Sequence, residues 1–198
     1  MSKWCGIVAL NGRLYCCPYN AAEVLVIHPE AATEEERISF IPLGLGSEAS
    51  YKWCGITALN GRLYCCPHDG TEVLVIHPEA TAEEERISLI PLGPGGEGTT
   101  KWCGIAALKG RLYCCPFSAE GVLVVDPEEG PVIWAAGAGR DNDKWQECVA
   151  DEQSGFVYCA PFCADAVLKI DADPVHLPPS RAKRLKELGF HTQRHFAA

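Results

Sequence analysis

One segment of the sequence occurs in four copies. Residues 12–29 read GRLYCCPYNAAEVLVIHP, and close copies begin at Gly61 and Gly110, with a weaker copy at Gly155. A Lys-Trp pair opens each unit, and the units are spaced by 49, 49 and 43 residues, with the lysines at 3, 52, 101 and 144. A fixed period of this length is typical of an array in which each repeat is one supersecondary unit. We therefore expect a single repeat domain.

Each unit carries the signals of short antiparallel strands. In the first unit, residues 4–10 and 13–17 read as two strands, joined by the Asn11-Gly12 pair that two-residue hairpin turns prefer. Pro18 should end the second strand, because proline cannot donate to the ladder. A third strand is expected at 24–27 and a fourth at 38–41. The consecutive apolar residues of the third strand predict that both of its faces are covered.

Four strands at this period are typical of a propeller blade, so the sequence predicts an all-β, propeller-like array of about four blades over residues 1–175. The fourth unit lacks a recognisable fourth strand, which predicts an incomplete last blade. A four-blade ring, an open arc that pairs with another copy, and a fragment of a longer protein all remain open. Residues 176–198 form a basic tail, in which Ser180 could cap a short helix at 181–188 that Gly189 ends.

The run from residue 13 to 44, RLYCCPYNAAEVLVIHPEAATEEERISFIPLG, resembles the YVTN-type β-propeller repeat. The family's tyrosine corresponds to residues 15, 64, 113 and 158, and its aspartate to Asp126 and Asp171. The sequence departs from the family where Cys-Cys-Pro follows the tyrosine, and where His28 and His77 replace the aspartate. The resemblance implies a propeller fold, which hosts both enzymes and binding scaffolds.

Charge and hydropathy exclude some classes of partner. The formal net charge is −9, and the basic tail leaves the first 175 residues still more acidic, which argues against nucleic acid as the main partner. The tail itself could dock on the domain, stay disordered, or meet lipid or nucleic acid. No apolar run approaches the length of a membrane span, and Met1-Ser2-Lys3 leads directly into a repeat motif. We therefore expect a cytoplasmic protein with no membrane partner.

The chain has twelve cysteines, and ten of them recur in register with the repeats, whereas Cys148 and Cys163 do not. Ring symmetry could bring one thiol per blade toward the axis, which would suit a metal or redox site, and functional disulfides are a further alternative. Adjacent cysteines on a strand point to opposite faces, however, unlike the paired ligands of structural zinc. The favoured interpretation is that the thiols act as small buried hydrophobes in a reducing compartment. We therefore predict no cofactor.

Other residues are given structural roles. His28 and His77 should stabilise turns, and the repeated tryptophans at 4, 53, 102 and 145 should pack between blades. The segment 141–143 is rich in side-chain oxygens but lacks the glycine and glutamate of an EF-hand loop, so calcium is the less favoured alternative. No G-x-S-x-G or H-E-x-x-H motif occurs.

A binding surface should break the repeat symmetry, because residues shared by every unit serve the fold. The candidate binding-surface residues that break it are His68, Asp69, Trp134, Arg140, Asp141, Asn142, Asp143, Cys163 and Asp165. They form no recognisable set of nucleophile, base and orienting group. The sequence therefore favours a non-catalytic scaffold that binds an unidentified protein through blade rims, and that could self-associate through open edge strands. The alternatives are a hydrolase-like propeller enzyme with an axial metal and a cysteine-rich metal or redox binder.

Overall fold

A computed structural model describes residues 2–44, 51–94, 96–134, 141–172 and 191–193. These residues form sixteen strands in four antiparallel sheets, and each sheet is a meander of four consecutive strands. The hairpin signals of the sequence explain this local order, since every unit places one short turn between its first two strands.

The strands of the four sheets have the following bounds. Sheet 1 contains β1 (Trp4–Leu10), β2 (Arg13–Pro18), β3 (Glu23–Ile27) and β4 (Ile38–Pro42). Sheet 2 contains β5 (Trp53–Leu59), β6 (Arg62–Pro67), β7 (Glu72–Ile76) and β8 (Ile87–Pro91), with one 3₁₀ turn at Glu83–Glu85. Sheet 3 contains β9 (Trp102–Leu108), β10 (Arg111–Pro116), β11 (Val122–Asp126) and β12 (Gly130–Trp134). Sheet 4 contains β13 (Trp145–Asp151), β14 (Phe156–Pro161), β15 (Val167–Asp171) and β16 (His191–Gln193).

The predicted hairpin turns are present in the first three sheets. Asn11 and Gly12 have φ values of 48° and 74°, and the corresponding pair in sheet 3, Lys109 and Gly110, has 51° and 78°. Two consecutive residues with positive φ are what a type I′ turn requires. The lysine therefore keeps the turn that asparagine makes more easily.

The first strand of each sheet lies at the centre of the array, where β1 contacts β5, β5 contacts β9, and β9 contacts β13. The strands approach closely because each of the first three carries a glycine. A Cβ atom on Gly55 would lie 2.8 Å from Gly104 Cα, and one on Gly104 would lie 2.7 Å from the carbonyl oxygen of Gln146. No larger residue fits between these backbones.

Apolar clusters join the neighbouring sheets in three layers, 1 with 2, 2 with 3, and 3 with 4. The same two kinds of face meet in every layer. The front face, which carries the repeated tyrosine, packs against the back face of the next sheet. In the first layer, Tyr15, Val24 and Ile41 of sheet 1 meet Leu63 and Leu74 of sheet 2.

In the described part of the chain, no apolar cluster joins sheet 4 to sheet 1. The back face of sheet 1 is uncovered, and Ile7 and Ile38 are 56% and 50% exposed. At the other end, Val149 of sheet 4 is 64% exposed. The described residues therefore form an open arc, one of the three arrangements that the sequence allowed.

Two sequence expectations are wrong. The last unit has a fourth strand, because β16 pairs with β15 through Leu168 and Thr192, so the sheet is complete. Coverage of the third strand on both faces holds for β7 and β11, whereas burial alternates along β3 and β15 because each has a neighbouring sheet on one side only. The helix expected at 181–188 lies outside the described residues.

Candidate functional site

A row of rings, one from each sheet, runs along the arc at one end of the strands. The second strand of every sheet ends in proline, and the next residue is Tyr19, His68, Phe117 or Phe162. Successive ring centroids are 5.5, 5.9 and 5.8 Å apart. Tyr51 extends this aromatic row, with its ring edge-on to Tyr19 at 5.1 Å. The spacing is that of interacting aromatic pairs.

The backbone fixes the spacing of the aromatic row. The carbonyl oxygens of Tyr19, His68 and Phe117 each accept a hydrogen bond from the lysine N–H that opens the next sheet, at 3.0, 3.0 and 2.9 Å. The repeat that places a Lys-Trp pair at the start of each unit therefore also determines where the rings lie.

Those lysines are buried beneath the row. Lys52, Lys101 and Lys144 are 7%, 4% and 3% exposed, and burial lowers the pKa of each. Each ammonium Nζ donates to a backbone carbonyl, for example Lys101 to Gly98 at 2.8 Å and Lys144 to Asp141 at 2.6 Å. Their hydrogen bonds compensate part of the cost of burying the charge.

His68 and Asp69 form the polar centre of the row. His68 Nδ1 lies 3.1 Å from Asp69 Oδ1, which also accepts a hydrogen bond from the Thr100 N–H at 2.6 Å. Burial lowers the pKa of His68, opposed by the neighbouring Asp69 carboxylate. Burial also raises the pKa of Tyr19 to about 12, with a smaller contribution from nearby thiols. Burial therefore favours the uncharged forms of the His68 and Tyr19 side chains at neutral pH.

The structure brings several of the candidate residues together here. Thr100 Oγ1 donates to Ser118 Oγ at 3.2 Å, Ser118 Oγ accepts from the Asp143 N–H at 3.4 Å, and the Asp143 carbonyl accepts from the Cys163 N–H at 2.9 Å. This chain of contacts links His68 and Asp69 to Asp143 and Cys163 across three sheets. Cys163 is exposed.

The remaining candidates are less closely tied to the row. Asp141 and Asn142 are exposed in the loop before Lys144, and Asp165 is exposed in the connection between β14 and β15. Trp134 ends β12 and pairs with Val122, but its side chain lies outside the described part of the chain, as does the whole of Arg140.

Most residues expected to have structural roles have them, but Trp4 does not pack between sheets, because no sheet precedes sheet 1 among the described residues. The indole N–H groups of Trp53, Trp102 and Trp145 donate to backbone carbonyls at 2.8 Å, and all three rings are buried between sheets. His28 and His77 each lie 2.7 Å from a serine hydroxyl of the next strand, which confirms their place at the turn.

Three thiols form a ladder along the central strands. Cys5 Sγ lies 2.9 Å from Cys54 Sγ, which lies 2.8 Å from Cys103 Sγ, and Gln146 takes the corresponding place in sheet 4. Hydrogen bonding to the next thiol, followed by burial, raises the pKa of Cys5. All twelve cysteines are free, and the described residues hold no group of three or more His, Cys, Asp or Glu side chains placed for a metal ion.

A cleft of about 480 Å³ opens at the opposite end of the strands, between the hairpin turns of sheets 2 and 3. Arg62, Lys109 and Arg111 line it together with Asp126 and Glu128, and Arg111 Nε lies 3.5 Å from Asp126 Oδ2. This cleft was not predicted from the sequence, although an arginine follows the hairpin glycine in each of the first three units. Among the described residues, its lining contains no Ser, Cys or His, whereas Asp126 and Glu128 supply carboxylates.

Known structures resemble this arrangement, whereas no protein-family model and no curated protein matches the chain. An inactive virginiamycin B lyase from Staphylococcus aureus, solved with quinupristin, aligns with a TM-score of 0.64 at 9% identity over 84% of this chain and 52% of its own. A protein of unknown function from Bacteroides thetaiotaomicron gives 0.62 at 15% identity, over 87% and 42%. A nidogen/laminin complex gives 0.58 at 10%, over 84% and 58%.

The chain thus spans about half the length of the known structures that it resembles. At these identities the likeness shows the fold alone. No helix in the described residues is both long and apolar enough to cross a membrane. The structural neighbours are β-propeller proteins, some of them enzymes and some binding proteins. This chain is therefore an all-β, propeller-type repeat protein whose four described sheets form an open arc.

Proposed function

We propose that this protein is a non-catalytic scaffold that binds a protein partner through the aromatic row. The observation that carries the proposal is a continuous line of rings across all four sheets, with Phe162 58% and Tyr51 39% exposed at its margins. Aromatic side chains supply large contact areas at low entropic cost, and they are enriched where proteins bind one another.

The chemistry of the row suggests the kind of segment that it would bind. Apolar side chains of an extended partner segment would contact the exposed rings, while the Asp69 and Asp143 region offers polar groups at the rim. Free and mostly buried thiols support the further proposal that the protein works in a reducing compartment such as the cytoplasm.

A displayed library of random peptides, selected against the purified chain, tests the proposal. Phe162→Ala and Tyr51→Ala should each weaken the selected peptides at least about tenfold, as expected for a truncated aromatic contact. Val149→Ala is the control, because Val149 is 64% exposed on the outer face of sheet 4, away from the row and from the back face of sheet 1, and should leave binding unchanged. Equal loss in all three variants, or no selected peptide, would contradict the proposal.

The pH dependence of the same binding gives a second test. Because burial lowers the pKa of His68, its ring gains a charge only at pH below the usual histidine range. Affinity should therefore be constant from pH 7 to 8 and fall below about pH 6. A His68→Gln variant should lose that acid-side fall.

The second candidate function is an enzyme that works in the charged cleft at the opposite end. The specific observation in its favour is the pairing of Arg111 with Asp126 inside a ligand-sized cleft. Arg62→Ala, whose side chain is exposed, should leave peptide binding intact under the scaffold proposal. Saturable binding of a small molecule that Arg62→Ala abolishes would favour the enzyme.

A further inference from the structure

The back face of sheet 1 is an apolar surface without a neighbouring sheet among the described residues. Residues paired directly across the four strands form two rows of side chains on this face, and neither row contains a charged residue. The rows are Ile7, Cys16, Leu25 and Phe40, and Ala9, Leu14, Ile27 and Ile38. Trp4 extends the surface, since its ring stacks on Phe40 with centroids 6.4 Å apart.

The same face is covered wherever the repeat has a preceding sheet. In sheet 2, Ile56 is 8% exposed and Leu63 and Ile76 are fully buried, whereas their counterparts Ile7, Leu14 and Ile27 in sheet 1 are exposed or half-buried. Wherever a sheet precedes it, this face therefore packs against the apolar front face of that sheet. A contiguous apolar patch of this kind marks an interaction site.

Sheet 4 does not offer a matching surface at the other end of the arc. On its front face, Asp151 stands where sheet 3 has Leu108, and Lys169 stands where sheet 3 has Val124. Lys169 Nζ lies 3.5 Å from the Phe156 ring centroid. Polar outer faces are typical of the capping repeats of such arrays. Head-to-tail assembly would bury these charges against apolar residues, which is unfavourable.

We propose that the back face of sheet 1 binds the same face of a second copy around a twofold axis. The second copy is the occupant because it presents an equally apolar surface, and a twofold axis places uncharged rows against uncharged rows. The polar face of sheet 4 limits the assembly to a dimer. The contact is face to face and thus differs from the edge-strand association expected from the sequence.

The dimer surface and the aromatic row are separate, so their tests can fail independently. The row lies at one end of the strands, whereas the dimer surface is the broad side of sheet 1. A dimer would present two rows and could bind two partner segments at once, which raises avidity without any new contact.

Absolute mass from light scattering and sedimentation tests the proposal on the full chain in reducing buffer. The wild type should have twice the 21.5 kDa chain mass. Phe40→Lys should raise the dimer dissociation constant by at least about a hundredfold, because the axis opposes two copies of the new charge. Val149→Lys, at a 64% exposed site on sheet 4, is the matched control and should stay dimeric.

Three results would overturn the proposal: a wild type that is monomeric at every concentration, a Phe40→Lys variant that stays dimeric, or dissociation by both lysine variants, which would indicate head-to-tail contact. Because Phe40 is 45% exposed, the substitution should leave the circular dichroism spectrum unchanged. If it does not, Ile38→Thr on the same face replaces it. Phe162→Ala should keep the dimer while weakening peptide binding, which separates this proposal from the scaffold function.

Discussion

Sheets 1 and 2 have nearly the same sequence and different surroundings. Their first strands read WCGIVAL and WCGITAL, and their second strands are identical. In sheet 2 both faces are covered, whereas sheet 1 is covered only on its front face. The difference shows that burial in this array is set by the number of neighbouring sheets, not by the residues of a sheet. Equivalent substitutions in the two sheets should therefore have unequal effects.

The largest difference is expected at the leucine of the second strand. Leu63 is fully buried, so Leu63→Ala should lower the free energy of unfolding by about 4 kcal/mol through lost burial and a residual cavity. Leu14 is half-buried, so Leu14→Ala should cost only about 1 kcal/mol in a dilute, monomeric sample. Denaturant titration of both variants measures the two values. Equal losses would mean that sheet 1 is covered as fully as sheet 2.

Substitution by alanine should destabilise the protein more at a central glycine than at a turn glycine, although both glycines have positive φ. Gly104→Ala would place Cβ 2.7 Å from the Gln146 carbonyl oxygen, and we expect a loss of about 3 kcal/mol from strain and overpacking. Gly12→Ala meets no atom within 4 Å and should cost about 1 kcal/mol. Thermal unfolding of the pair compares them, and similar losses would contradict the close approach of the central strands.

Buried thiols should make the free energy of unfolding depend on pH in alkaline solution. Burial raises the pKa of Cys66 above its usual range, so above about pH 9 the unfolded chain releases a proton that the folded chain retains. Stability is then full below that pH and falls as pH rises, by about 1.4 kcal/mol per unit for one such thiol. Cys66→Ala should reduce this change in the free energy of unfolding per pH unit, as measured by denaturant titrations at several pH values between 8 and 10. An unchanged slope in Cys66→Ala would contradict the burial of this thiol.

The smallest effect is expected at Tyr15, on the covered face of sheet 1. Its hydroxyl is buried and has no hydrogen-bond partner among the described residues. Tyr15→Phe should therefore change the free energy of unfolding by less than about 1 kcal/mol, and toward greater stability, because an unsatisfied buried group is removed. A clear destabilisation would reveal a partner for this hydroxyl.

The repeated residues predicted most of the fold. The sequence alone predicted the Asn11-Gly12 turn, the strands on either side of it and the proline that ends β2. Each of these features depends on local backbone chemistry. Strand β16 was not readable, because its three residues follow a long interval and carry no apolar pattern. The exposure of Ile7 could not be predicted either, since its sequence context is that of the buried Ile56.

The candidate site was predictable only in part. Broken symmetry drew attention to His68, Asp69 and Cys163, which the structure places along one rim. Tyr19 and Phe117 were missed, although the signal was present in the ring that follows the proline of each unit. Recognising a row required knowing that successive sheets stack with these positions adjacent, and only the three-dimensional arrangement supplies that.

The distance across the opening of the arc tests the account most directly. In sheets 1 and 2, Asn11 Nδ2 donates to Glu79 Oε1 at 3.2 Å, so the first turn of one sheet lies beside the last loop of the next. Spin labels carried by a non-natural amino acid at Asn11 and Glu83 would measure the distance between the first turn of sheet 1 and the last loop of sheet 2. Labels at Gln153 and Glu34 would measure the corresponding distance between the first turn of sheet 4 and the last loop of sheet 1. Diluting labelled chains with unlabelled ones restricts the signal to single molecules. In an open arc the second distance is much longer than the first, whereas equal distances would show a closed four-sheet ring and contradict the open arrangement.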